Sequence, residues 1–162
     1  MAKILIVYYS WSGNTRRVAQ VIQGYVGGDL VELIPEQPYP TSYQETVRQA
    51  KREIQSGYLP PLKTKVENIE QYDIVFIGSP NWWGTIAPPV TSFLSSHSLS
   101  GKTIAPFITH GGGGRGRSIE EIKRLCPNSK ILPEFVVYGS GGRDLQQKVQ
   151  SWLQKIGLLE KT

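Results

Sequence analysis

Five apolar runs of strand length recur along the chain, separated by segments with helical spacing. The runs span Lys3 to Tyr9, Leu30 to Ile34, Asp73 to Gly78, Thr103 to Thr109 and Ile131 to Tyr138, and they are rich in Ile, Val, Phe and Tyr. Parallel strands need long crossover connections, so strand runs alternating with helical segments predict a parallel α/β sheet. The first, third and fourth runs are nearly continuous rather than alternating, as strands covered on both faces require. They belong at the centre of the sheet.

The spacing predicts helices over Thr15 to Tyr25, Thr41 to Ser56, Pro88 to Ser96, Ser118 to Leu125 and Arg143 to Ile156. In the last, Leu145, Val149, Trp152, Leu153 and Ile156 share one face, and Gly157 follows as a natural stop. Ser118 ahead of Glu120 and Glu121 reads as capping chemistry. Prolines 35, 38, 40, 60 and 61 bracket a polar helix rather than a linker, and no repeat or composition shift divides the chain. At 162 residues and 39% hydrophobic content, residues 1–162 are expected to form one domain.

The net charge is +5, yet Lys and Arg are scattered, and the densest spots are Arg16-Arg17 and Arg115-x-Arg117. Scattered charge is a solvated surface, so no nucleic-acid partner is expected. Cys126 is the only cysteine, which excludes an internal disulfide and suits a reducing compartment. No leader-like segment precedes Ile4 and no apolar run approaches about 18 residues, so a cytoplasmic protein with no membrane span is expected.

In an open parallel sheet, ligands bind outside the carboxyl ends of the strands. Three loops there stand out. The first, Ser10-Trp11-Ser12-Gly13-Asn14-Thr15, offers three hydroxyls, a glycine that lets the backbone curl, and unpaired N–H groups at a helix start. It lacks the lysine of a nucleoside triphosphate loop, so a phosphate monoester held by neutral donors fits it better. The second, Pro80-Asn81-Trp82-Trp83-Gly84, sets two tryptophans side by side. Both cannot bury in the same direction, so at least one ring is expected at the surface or against a flat ligand. The third, Thr109-His110-Gly111-Gly112-Gly113-Gly114, lets backbone amides approach a planar group, with His110 able to touch it. Its formal G-x-G-x-x-G match at Gly111, Gly113 and Gly116 lacks the acidic residue at the end of the next strand.

Together these three loops, in order and spacing, resemble the flavodoxin-like FMN-binding proteins over essentially the whole chain. The resemblance implies a doubly wound, five-stranded parallel sheet of order 2-1-3-4-5 with helices on both faces and FMN at the switch point. It assigns Ser10, Ser12, Gly13, Asn14 and Thr15 to the phosphate, with Trp11 in the same loop. It places the flavin ring between residues 80–84 and residues 109–114. The hydroxyls of the first loop take the place of a cation. Familiar flavodoxins are similar to one another in carrying carboxylates around the flavin. Here residues 79–90 and 109–118 contain no Asp or Glu, and Arg115 and Arg117 enter the third loop.

The expected function is a small FMN protein moving electrons between redox partner proteins, with no catalytic side chain and no metal ligands singled out. The alternative is an NAD(P)H-dependent FMN oxidoreductase of quinone-reductase type, with Arg115 or Arg117 available to pair with a nucleotide phosphate. A non-catalytic regulatory or interaction protein of the same fold is the third reading.

Overall fold

A computed structural model of the protein describes residues 2–160. In chain order its elements are β1 (Ile4–Tyr8), α1 (Asn14–Val26), β2 (Asp29–Glu32), α2 (Tyr43–Ser56), β3 (Ile74–Trp82), β4 (Thr85–Ile86), α3 (Pro88–Ser96), β5 (Thr103–His110), α4 (Ser118–Leu125), β6 (Lys130–Ile131), β7 (Phe135–Tyr138) and α5 (Leu145–Lys155). The sheet has seven strands in the order β2-β1-β3-β5-β6, with β7 also paired to β5 and β4 paired to β3. All pairings are parallel except β3 with β4. The expected five-stranded sheet of order 2-1-3-4-5 is therefore corrected on two points.

The first is the last strand. The apolar run from Ile131 to Tyr138 does not pair continuously; β6 and β7 share one edge of β5, with residues 132–134 between them outside the ladder. A proline on β5 explains the gap. The Ile104 carbonyl, which accepts from Leu132 N–H at 2.8 Å, shows which way that part of β5 faces. Backbone groups two residues apart on a strand point to the same side, so Pro106 presents its missing donor to this same edge.

The second is the length of the third strand. The expected strand ended at Gly78, whereas β3 continues to Trp82 and folds back through Trp83-Gly84 into β4, pairing Asn81 with Ile86 and Trp82 with Thr85. Trp83 (φ 55°) and Gly84 (φ 81°) are both left-handed, the conformation a two-residue hairpin turn requires. Most of the second loop is therefore a β-hairpin.

The near-continuous apolar runs resolve into two packed faces. Leu5, Val7, Val75, Ile77, Ile104 and Ile108 meet Val90 and Phe93 of α3 and Ile119 and Ile122 of α4. Ile6, Phe76, Ala105 and Phe107 meet Val18, Ala19 and Ile22 of α1 and Val149, Trp152 and Leu153 of α5. At about 25 cal/mol per Å² of apolar surface removed from water, this two-sided burial is the main force holding the layers. Gly78 is fixed by it: a Cβ there would lie 2.2 Å from the Phe107 ring.

Local chemistry sets the helix ends. Ser42 caps α2 by accepting from Glu45 N–H (3.4 Å), and α3 opens on Pro88-Pro89, which need no N–H in the first turn. Ser118, expected as a cap, is instead the first residue of α4; its hydroxyl is buried and has no partner among the described residues. Gly157 terminates the last helical turn, donating to Gln154 O at 3.2 Å. No helix among the described residues is long and apolar enough to cross a membrane.

Candidate functional site

The three loops meet at the carboxyl ends of β1, β3 and β5. In the first, Ser10 is nearly buried, and its Oγ accepts from Gly13 N–H at 3.1 Å, which curls the loop before α1. Gly13 (φ 98°) takes the N-cap position without any side-chain cap. The N–H groups of Asn14, Thr15 and Arg16 find no partner among the described residues, and no acidic residue lies in the first turn. These donors, with the positive end of the helix dipole, make a cradle for an anion. Ser12 is exposed beside it, and Asn14 is half-buried.

Neither neighbouring arginine points into the cradle. Arg16 is held by Glu32, donating to Oε1 at 3.2 Å and to Oε2 at 2.7 Å. Arg17 reaches across to the loop after β7, donating to Ser140 O (2.6 Å) and Gly142 O (2.9 Å). Thr15 is 1% exposed, and its hydroxyl is 2.8 Å from that of Thr109 at the end of β5. Thr109 thus joins the first loop, whereas the sequence had placed it with the ring-side residues.

The hairpin separates the two tryptophans. Trp82 packs edge-on against Tyr9 (5.5 Å between centroids) and Tyr39 (5.0 Å). Burial together with the nearby carboxylate of Glu53 pushes both phenols well above the ordinary tyrosine range, so they act as neutral props behind the ring. Trp83 is 51% exposed; its Nε1 donates to Val47 O on α2 (2.9 Å), and Lys51 Nζ lies 5.1 Å from the ring centre. Asn81 is the junction of the second and third loops. Its Oδ1 accepts from Gly84 N–H (2.9 Å) and its Nδ2 donates to Gly114 O (2.7 Å).

The third loop closes against this hairpin. Arg117 N–H donates to Gly84 O at 2.6 Å, and a Cβ on Gly116 would lie 2.5 Å from the same oxygen. His110 Nδ1 accepts from Gly112 N–H (3.0 Å), and its ring meets Tyr138 edge-on. Gly111, Gly112 and Gly113 are exposed and Gly114 is half-buried. Arg115 is not a free charge: it pairs with Glu120 at 3.0 Å and with Glu134 at 3.2 Å. Although residues 109–118 hold no carboxylate, the fold brings two to them. Arg117 makes no ion pair among the described residues.

A cleft of about 290 Å³ opens beside the first two loops, lined by Trp11, Trp82 and Trp83 together with Tyr43, Thr46, Val47 and Ala50 of α2. Trp11 lines this cleft, and its Nε1 donates to Pro40 O at 3.1 Å. The α2 residues were not among the sequence candidates. Tyr43, Val47 and Ala50 do fall at helical spacing, which marks a face, but nothing in the spacing says what that face meets. No group of three or more His, Cys, Asp or Glu among the described residues is placed to hold a metal ion.

A sequence model of the family described as Flavodoxin matches residues 3–156. Among solved structures, a candidate flavoprotein from Bacteroides eggerthii DSM 20697 is 34% identical, with 96% of this chain and 98% of that one covered at a TM-score of 0.84. A flavoprotein from Lactobacillus acidophilus NCFM, solved in complex with FMN, is 24% identical over 94% and 99% of the two chains, with a TM-score of 0.71. Among curated proteins, an NAD(P)H dehydrogenase (quinone) from Azorhizobium caulinodans is 28% identical over 127 residues, 69% of this chain and 60% of that protein. The chain thus spans less than two thirds of that relative's length. With the family match running from the first strand through the last helix, and with the three strand-end loops gathered at one edge of a doubly wound sheet, the chain belongs to the flavodoxin family.

Proposed function

We propose that the protein binds FMN and passes electrons through it between redox partners. The observation that carries this reading is the anion cradle at the start of α1: backbone donors without partners, no acidic residue in the first turn, and both neighbouring arginines engaged elsewhere. A phosphate monoester is the anion such neutral donors suit. Ser12, Gly13, Asn14 and Thr15 would hold the phosphate, and the Trp82-Trp83 hairpin and the glycines of the third loop would flank the ring. The bound flavin supplies one- and two-electron chemistry; the chain supplies its position and surroundings. The FMN complex of the Lactobacillus acidophilus flavoprotein supports the choice of cofactor.

Titration of the apoprotein with FMN and with riboflavin tests the proposal. FMN is expected to quench tryptophan fluorescence and to bind more tightly than riboflavin, which lacks the phosphate. A colourless protein that takes up neither flavin would overturn it.

A second reading is supported by the aromatic cleft beside the site and by the curated quinone-reducing relative. In this reading the protein is an FMN-dependent oxidoreductase that takes hydride from NAD(P)H. Arg117, unlike Arg115, is free of carboxylate partners among the described residues and would meet a nucleotide phosphate. Steady-state oxidation of NADPH with a quinone acceptor separates the readings: turnover no faster than that of free FMN leaves the carrier.

A further inference from the structure

The Thr15–Thr109 contact carries an assignment that rests on the FMN reading and goes beyond it. The two residues come from distant parts of the chain, are 1% and 2% exposed, and place their hydroxyl oxygens 2.8 Å apart. Neither hydroxyl has another partner among the described residues. Each can donate one proton. The mutual bond uses one of the two, so the other has no acceptor among the described residues. Packing alone does not call for this pair, since valine has the same shape without the cost of burying a hydroxyl.

The direction of the chain follows from position. Thr15 is in the first turn of α1, beside the unpaired N–H groups of Asn14 and Arg16, whereas Thr109 belongs to β5, paired in the ladder with Pro80. An anion in the cradle attracts the free proton to the nearer oxygen, and donation by Thr109 to Thr15 strengthens the bond that Thr15 donates in turn. We propose that Thr109 is the positioning residue of the phosphate site: it donates to Thr15 Oγ1, which commits the single Thr15 proton to the phosphate. Thr109 itself touches neither phosphate nor ring. Its role is to select FMN over the dephosphorylated flavin.

The test compares FMN and riboflavin affinities, by fluorescence titration, for wild type, Thr109→Val and Thr109→Ser. Loss of one hydrogen bond corresponds to roughly a three- to tenfold weaker FMN affinity in Thr109→Val. Riboflavin affinity is expected to be unchanged, and Thr109→Ser, which keeps the hydroxyl, is expected to restore the FMN preference. In a Thr15→Val background, Thr109→Val is expected to cost FMN nothing further. Equal losses for both flavins, no loss for FMN, or additive losses in the double variant would each overturn the assignment. Should Thr109→Val fail to fold, Thr109→Ala supplies the same comparison. A wild type that prefers FMN while Thr109→Val leaves that preference intact refutes this inference alone; a wild type that binds no flavin refutes the proposed function with it.

Discussion

Asn81→Ala removes the one side chain that ties the tryptophan hairpin both to its own turn and to the glycine loop. Two hydrogen bonds go with it, the 2.9 Å bond from Gly84 N–H and the 2.7 Å bond to Gly114 O. A typical protein hydrogen bond contributes roughly 0.5 to 1.5 kcal/mol net, so the pair is worth about 2 kcal/mol. Gly84 and Gly114 are only half-buried, which lets water partly replace the lost partners and keeps the cost from rising much higher. For a chain of this size, about 2 kcal/mol lowers the melting temperature by roughly 4 to 8 °C. Because the hairpin and the third loop lose their side-chain link and keep only the bond from Arg117 N–H to Gly84 O, FMN and riboflavin are expected to weaken together, unlike the phosphate-specific loss assigned to Thr109. Asn81→Asp keeps the acceptor for Gly84 but turns a carboxylate toward the Gly114 carbonyl. At neutral pH it is therefore expected to be less stable than Asn81→Ala, with partial recovery as the pH falls toward the carboxyl pKa of about 4, where protonation restores a donor. Thermal unfolding of the apoproteins and flavin titration measure these effects. An Asn81→Ala variant that melts within a degree of wild type and binds flavin unchanged would refute the junction role.

Gly78→Ala is expected to destabilise the apoprotein by about 1 to 3 kcal/mol in urea unfolding, because its Cβ would meet the fully buried Phe107 ring. Adding Phe107→Leu should recover part of that loss, and no recovery would place the strain elsewhere. Trp82→Ala, which empties the space between Tyr9 and Tyr39, is expected to lower thermal stability clearly more than Trp83→Ala; the reverse order would mean that the exposed ring is the anchor. Burial pushes the Cys126 thiol up to about 11, so in native protein at pH 8 it should react with a thiol reagent only at the rate of unfolding. The folded thiol holds its proton more tightly than the unfolded one, so its contribution to stability is complete below the ordinary thiol pKa. That contribution is lost as the pH rises toward 11, and Cys126→Ala should lack this alkaline decline.

The sequence by itself determined the parallel α/β architecture and pointed to the strand-end loops as the candidate site, because both rest on local chemistry. Strand-length apolar runs alternating with helical spacing admit few arrangements other than a parallel sheet covered on both faces, and ligands of such sheets gather at the strand ends. The cradle was legible for the same reason: Ser10, Gly13 and the start of α1 are neighbours in the chain. The interrupted edge was written there too, in Pro106, although its meaning depends on which side of β5 each backbone group faces. Other features depended on residues far apart in sequence. The extension of β3 into a hairpin with β4 needs Asn81 and Trp82 to find Ile86 and Thr85, and it turned an expected loop into a strand. Arg115 reads as an uncompensated charge until the fold sets Glu120 and Glu134 against it. That Trp11 lines a cleft together with α2 residues, and that the Thr109 hydroxyl of β5 meets that of Thr15 on α1, could not be read from either segment alone. Backbone propensity and apolar period act over a few residues and survive in a string of letters. A hydrogen bond or ion pair between distant residues exists only once hydrophobic burial has brought their elements together, so these pairings were decided by the tertiary structure alone.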